Sequence, residues 1–479
     1  MATKKDLTEA YSFSRRRLVT AFVSGAPGGR EVEPARPGRT VVGGLALSVL
    51  LLAGAAVAGV FKPSVDEDWA ERPGLVVAEE TGAAYVITAV EDGEEPVLRP
   101  VINITSAMLI LGADTEPTIV PAEEISAERL GDDIGILGAP STVPDPARLV
   151  DDGWTACVTD AGGLRVDVTA EPVHEPAPGG AMLVEVRGSD DDAVYVVAES
   201  GEEAEPRAYS YRLPAGSGRD NLLAAIGLDA ADTAAPVPEE WLALFPPGGD
   251  LTSQPFELDQ AETRPAYADA LEGVGAPRIG DVLETDAGER LLLAEDGPVT
   301  LTDFAHGVYA GSADFTTHAV SSPPDVRRGE RTYLAATWPR DRVTSVVGEQ
   351  CALLEASADR RPAVRVVTRP ADAPVPRSVP PGGRDVVVDE GAGAFVLTGG
   401  WDPLTDATAT GAGGDPHLID AKGTRYPIAG MGAAALLGFA DHPAPHVPDS
   451  WLELFRPGVT LSQQAALCAP RLDPEAPCG

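Results

Sequence analysis

Asparagine is almost missing from this sequence: Asn103 and Asn221 are the only two among 479 residues. Lysine is nearly as scarce, four against 32 arginines, the bias of a GC-rich genome rather than of a fold. Aromatic residues make up 5%, whereas Gly and Pro number 51 and 44. That balance disfavours a few long helices and suits many short strands joined by turns. Basic charge is short as well, 36 Lys and Arg against 74 Asp and Glu, a net charge of −38. So acidic a bulk repels nucleic acid and anionic lipid, which argues against nucleic-acid binding by the main body.

Catalytic signatures are also lacking. No GxxxxGK[ST] phosphate loop occurs, and the Gly-rich stretches GAPGGREV (25–32) and GAGGDPHL (411–418) lack the Lys-Ser/Thr pair that would reach phosphates and a metal. No GxSxG elbow appears, nor a convincing Ser/His/Asp order. No Cys-x-x-Cys suggests zinc, and His442 and His446 are separated by two prolines that keep them off one helix face. Ser189-Asp190-Asp191-Asp192 reads as a solvated loop, and Asn103-Ile104-Thr105 matches a glycosylation acceptor only formally. No catalytic residue, cofactor or metal site is therefore assigned.

What is present begins with charge asymmetry. Residues 1–39 carry eight basic and four acidic groups, and the rest carries 28 and 70. Between Arg39 and Lys62 run 22 uncharged residues, TVVGGLALSVLLLAGAAVAGVF. At about 1.5 Å per residue they reach roughly 33 Å, enough to cross a bilayer core. Ala56-Val57-Ala58 resembles a signal-peptidase site, and SRRRLV (14–19) imitates a twin-arginine signal. The apolar run is too long for a signal peptide and begins too late for the twin arginine, so the segment reads as an anchor. The positive-inside rule places residues 1–39 in the cytoplasm and residues 62–479 outside, in a single-pass inner-membrane topology.

Within the arm, Leu7, Tyr11, Leu18 and Phe22 fall at helical spacing beside Arg15, Arg16 and Arg17. The spacing predicts an amphipathic helix over residues 6–23, with Asp6 and Glu9 as its N-terminal capping pair and Gly25, Pro27 and Gly28 beyond its end. It could lie on the bilayer or dock on a partner. Outside, the four cysteines Cys157, Cys351, Cys468 and Cys478 favour disulfides in an oxidising space. Of three pairings we choose Cys157 with Cys351 and Cys468 with Cys478, because the latter two flank a short Pro-rich tail.

One amphipathic phrase is written twice: VPEEWLALFPPGGDL (237–251) and VPDSWLELFRPGVTL (447–461). Val237/Val447, Trp241/Trp451, Leu244/Leu454 and Phe245/Phe455 match, and each copy reads as a short helix capped by Gly248 or Gly458 with its Trp in the core. Upstream of each stands a unit of strand, turn, strand and short helix: AVYVVAESGEE with AYSYRLP, and GAFVLTGG with TRYPIAG. A fainter pair, 83–112 and 289–311, repeats a strand-turn-strand-helix order. These markers recur at offsets of 210 and 198, and the central cysteines at 194. Two similar halves are the economical reading. A Cys157–Cys351 bridge would join their central segments and restrict the unfolded chain by up to several kcal/mol.

Several motifs together resemble the EccB family, the bitopic component of actinobacterial type VII (ESX) secretion systems. They are YSFSRRRLVTAFVSG, the span ending GVFKP, LRPVINITSAMLILG (98–112), IGILGAPSTVP (134–144) and the Cys157/Cys351 pair. The resemblance runs from residue 7 to about 465; the tail pair Cys468/Cys478 has no place in the family pattern. It implies an α+β protein with a cytoplasmic helix, one transmembrane helix, and an extracytoplasmic domain of four small modules around a central β-domain. On this sequence the expected division is an arm at 1–39, a span at 40–61, repeat modules at 62–115, 186–255, 275–320 and 386–465, central segments at 116–185 and 321–385, and a tail at 466–479. The resemblance also implies a structural role in a membrane complex with EccC, EccD and EccE components, and homo-oligomers. Family members are commonly labelled ATPases. That activity, or glycan binding by the small β-modules, are the alternatives.

Overall fold

The computed structural model describes residues 3–24, 68–88, 96–186, 188, 193–201, 206–216, 218–329, 337–402 and 413–471. The chain divides into two units, Met1–Asp66 and Glu67–Gly479. In the first, an α-helix spans Lys4–Ser24. Its first turn is closed by Thr3, whose backbone N–H and hydroxyl donate to Asp6 Oδ2 at 2.9 and 2.7 Å. Thr3 rather than Glu9 is thus the partner of Asp6, because the helix begins two residues earlier than its apolar spacing suggests. The side chains of Leu7, Tyr11, Leu18 and Phe22 are exposed, as are Arg15, Arg16 and Arg17. The expected span, 40–61, and the helix-ending Gly25, Pro27 and Gly28 lie outside the described residues. Among the described residues, no helix is long and apolar enough to cross a membrane.

The second unit is mixed α/β, and its described residues form five sheets. Two of them share one connectivity. Gly74–Ala78, Ala84–Ile87 and Leu98–Pro100 form an antiparallel meander; the helix Ile104–Leu111 then returns the chain to Thr118–Val120, parallel to the first strand. Val282–Thr285, Arg290–Leu293, Pro298–Leu301, the helix Asp303–Ser312 and Thr317–Val320 repeat that path. Both helices start on side-chain caps: Asn103 accepts from Ser106 N–H and Thr302 from Ala305 N–H.

The other two module sheets follow the same path and add a strand, and the first of them also takes Thr344–Ser345 beside Gly180–Val186. In one, Gly180–Val186, Val194–Glu199 and Ala208–Arg212 lead through the helix Arg219–Ile226 to Ala235–Val237, and then through Glu239–Leu242 to Pro247–Asp250. In the other, Ala394–Gly399, Pro416–Ile419 and Thr424–Pro427 lead through Gly430–Leu436 to His446–Pro448, and then through Asp449–Leu452 to Arg456–Pro457. Each has three meander strands where the sequence shows two, so AVYVVAESGEE is a middle strand while GAFVLTGG is a first strand. Three expected boundaries shift as well. The division at 185 cuts through Gly180–Val186, the one at 385 cuts through Arg384–Val388, and the first module extends past 115 to Thr118–Val120.

The fifth sheet lies between them, in the order Arg384–Val388, Leu164–Val168, Trp154–Val158, Gln350–Ser357, Arg360–Thr368, Glu175–Pro176. Strands from early and late sequence interleave in it: the early pair Leu164–Val168 and Trp154–Val158 lies between late strands, and the early Glu175–Pro176 closes the far edge. Helix packing crosses the chain in the same way. Arg219–Ile226 lies against Asp303–Ser312, where Gly307 and Gly311 leave no room for a Cβ beside Ala225 O and Leu222 Cα. Ile104–Leu111 packs on Gly430–Leu436.

Candidate functional site

The two Trp phrases meet in one core beneath the central sheet. Trp241, Leu244, Phe245, Trp451, Leu454 and Phe455 are all buried and share it with Trp154, Val166, Leu354 and Val364. The indole N–H of Trp241 donates to Ala156 O at 3.0 Å, on a central strand. That of Trp451 donates to Leu244 O at 3.3 Å, so the second copy of the phrase bonds to the first. Phe455 sets its ring edge against Trp154 at 5.3 Å between centroids. The helices are shorter than the i, i+3, i+4 spacing suggests: four residues each, with Leu244, Phe245, Leu454 and Phe455 in the turns that follow. Neither Gly248 nor Gly458 caps a helix. Each lies where the backbone crosses a tyrosine face, and a Cβ would come 2.2 Å from Tyr211 Cε1 or 2.5 Å from Tyr426 Cδ1.

The residues that carry the family resemblance also touch. Asn103 donates from Nδ2 to Ile136 O, Ser106 Oγ accepts from Ile136 N–H, and Thr105 donates to Pro140 O. The 98–112 and 134–144 motifs are therefore one hydrogen-bonded unit, and the amide of Asn103 is engaged in it rather than free for a glycan. Gly135 N–H donates to the carbonyl of Cys468, tying the C-terminal helix Gln463–Ala466 to that loop. Cys478 lies outside the described residues.

Cys157 and Cys351 face each other across Trp154–Val158 and Gln350–Ser357 and form a disulfide spanning 194 residues. Two ionisable side chains approach it. His174, just before the edge strand Glu175–Pro176, has Nε2 3.3 Å from Cys157 Sγ, and Glu349 precedes the Cys351 strand. Burial pushes the Glu349 carboxyl up against the pull of Arg369, whose Nη2 lies 3.1 Å away. Burial likewise pushes His174 down. His174 and Glu349 carry no sequence signature, because strand pairing, not chain proximity, brings them to the cysteines.

An open cleft of about 900 Å³ flanks the third module. Glu257, Glu262 and Ala276 line it and hold left-handed backbone at φ 47°, 67° and 46°. The Asp281 carboxylate accepts from Arg278 N–H, Thr316 N–H and His318 Nε2 at 2.9–3.0 Å, which fixes the cleft wall. Tyr309 donates to Gly280 O, and burial pushes its phenol up to about 12. These groups are used in holding backbone, an arrangement that shapes a wall rather than activating a nucleophile.

The family model described as "Type VII secretion system ESX-1, transport TM domain B" matches residues 1–471. A curated relative, the "ESX-1 secretion system ATPase EccB1" of Mycolicibacterium smegmatis (strain MKD8), is 27% identical over 460 residues, covering 90% of this chain and 87% of its own. Two solved structures share the fold at 22% identity. One, from an intact ESX-5 inner membrane complex, has a TM-score of 0.59 over 99% of this chain and 97% of its own. The other, an EccB3 dimer from the ESX-3 core complex, has a TM-score of 0.60 over 83% and 100%. With the family match extending over residues 1–471, and the 98–112 and 134–144 motifs joined in one hydrogen-bonded unit, this chain belongs to the EccB family of type VII secretion components.

Proposed function

We propose that this chain is a structural membrane subunit of an ESX-type protein secretion complex, supplying an inner-membrane anchor and a periplasmic assembly domain. The carrying observation is the family match across residues 1–471 together with a fold shared over nearly the full chain with a subunit of an ESX-5 inner membrane complex. Residues 40–61 cross the membrane once, with the arm in the cytoplasm; the uncharged run and its basic flank support this. The arm helix then presents Leu7, Tyr11, Leu18 and Phe22, with Arg15, Arg16 and Arg17, to the bilayer or to EccC-, EccD- and EccE-type components. Self-association is supported by the EccB3 dimer to which the fold is similar. Two similar halves, each carrying two modules and a share of the central sheet, are supported by the repeated strand order. Cys468 is not a free thiol, which supports its pairing with Cys478 in the tail.

Gentle detergent extraction of native membranes tests the reading. The chain should migrate in a large complex with its secretion partners, and deletion of residues 3–24 should release it. Migration alone in every detergent would overturn the proposal. A second reading, ATP hydrolysis, is favoured by the name of the Mycolicibacterium smegmatis relative, which calls it an ATPase. Phosphate release that follows the purified chain through successive columns would support it, and activity that separates from the protein peak would end it.

A further inference from the structure

We propose that the Cys157–Cys351 bridge is the oxidised state of a soft divalent-cation site, of the zinc class, completed by His174 and Glu349. The four ligand atoms already lie within 4.8 Å of one another. Cys157 Sγ is 3.3 Å from His174 Nε2, both cysteines are buried, and the Glu349 side chain is only 9% exposed. One carboxylate oxygen, Oε1, meets Arg369 Nη2 at 3.1 Å, while Oε2 is buried without a hydrogen-bond partner. A buried, unpartnered carboxylate oxygen beside two sulfurs and an imidazole calls for an explanation, since such atoms are normally satisfied. A cation supplies one.

Two thiolates, an imidazole and a carboxylate make a four-coordinate set of the kind that holds zinc, with metal–sulfur distances of about 2.3 Å and metal–nitrogen or –oxygen distances of about 2.0 Å. Tetrahedral donors at those distances stand roughly 3.3–3.8 Å apart. Closing on an ion therefore asks for shifts of about 1 Å, within the reach of side-chain rotation. Charge also fits: three anionic ligands exceed the dication by one, and the Arg369 guanidinium lies at the carboxylate.

Reaching the site needs a two-electron reduction by a dithiol. One thiolate of the reductant attacks a bridge sulfur, breaks the S–S bond and releases the other cysteine as a thiolate. The second thiol of the reductant then attacks the mixed disulfide, leaving as a cyclic disulfide and freeing the first cysteine. The two cysteines take up the two protons of the dithiol. Cation binding displaces those protons to solvent.

The test uses the full chain in detergent, in a Cys468→Ser/Cys478→Ser background, so that the central pair holds all the cysteine sulfur. After anaerobic reduction with dithiothreitol and removal of the reductant, cobalt(II) is titrated in. The expected result is one cobalt per chain with thiolate charge-transfer and tetrahedral ligand-field bands, displaced by zinc(II). His174→Ala and Glu349→Gln, each checked for an intact bridge and a folded sheet in the oxidised state, should each weaken binding by about tenfold or more. Absence of those bands, binding equally tight in both variants, or loss of the β-sheet signal on reduction would each overturn the proposal.

Discussion

Replacement of Trp451 by alanine is the sharpest test of the reading that the repeated phrase is architecture. The indole is fully buried in the core that joins both Trp phrases to the central sheet. A buried Trp removes roughly 150–250 Å² from water, which at about 25 cal/mol per Å² corresponds to roughly 4–6 kcal/mol. Measured Trp→Ala losses of about 3–5 kcal/mol bracket the same range once partial collapse of the cavity is allowed. The change also strips Leu244 O of its donor. Trp451→Phe separates the two effects, keeping most of the volume and losing the N–H, at about 1–3 kcal/mol. Scanning calorimetry of the detergent-solubilised chain should place the alanine variant well below the wild type and the phenylalanine variant between them. Because the Trp451 and Leu244 side chains share one core, pairing Trp451→Ala with Leu244→Ala should give less than the sum of the single losses. An unchanged melting temperature for Trp451→Ala, with loss of a binding partner instead, would refute the architectural assignment.

Three further outcomes follow from the geometry. Gly458→Ala drives a Cβ into the rigid ring of Tyr426 and should cost about 1–3 kcal/mol, measured by urea unfolding; no loss would mean that the strand crossing is slack. Glu199 forks onto Arg365 at 2.8 and 3.1 Å and accepts from Val366 N–H, joining an early strand to a late one. Glu199→Ala leaves the partly buried guanidinium with the more distant Glu355 Oε1 at 3.4 Å, so a loss of about 1–3 kcal/mol is expected, and one that 0.5 M salt reproduces in the wild type would contradict the burial. His306, His417 and His446 are all held below the ordinary value of 6.5 by burial. The unfolded chain therefore gains protons before the folded one. Stability is full above about pH 6.5 and falls as pH drops through that value. Melting temperatures from pH 8 to 5 should decline, and His446→Leu should flatten the curve; a profile flat in the wild type would sink the argument.

Part of the core could be read from residue order because the duplication left two fifteen-residue phrases that agree at nine positions. Val237, Trp241, Leu244, Phe245 and their counterparts are buried, and the central cysteines stand in register across two strands. Strands were harder to find. Gly180–Val186 is buried along its first five residues and shows no alternation, so nothing in its pattern separates it from a neighbouring core segment. Pro416–Ile419 is four residues long and opens with proline. The roles of Gly248 and Gly458 were misleading for another reason: a glycine shortly after a short helix suggests a cap, yet here the demand comes from a tyrosine 37 or 32 positions upstream. His174 and Glu349 are invisible for the same cause, long-range strand pairing.

The interleaved central sheet also imposes a timetable on the nascent chain. Trp154–Val158 acquires its neighbour Gln350–Ser357 only after the intervening residues have been made. At about 5–20 residues per second, the separation of 194 residues between the two cysteines corresponds to roughly 10–40 s. Throughout that time a fully buried strand, WTACV, presents an open edge and the first Trp phrase lacks the second. Such an edge invites pairing with a second nascent chain. The Cys157–Cys351 bond locks that late neighbour in place, while the second Trp phrase, which begins at Val447, follows later still.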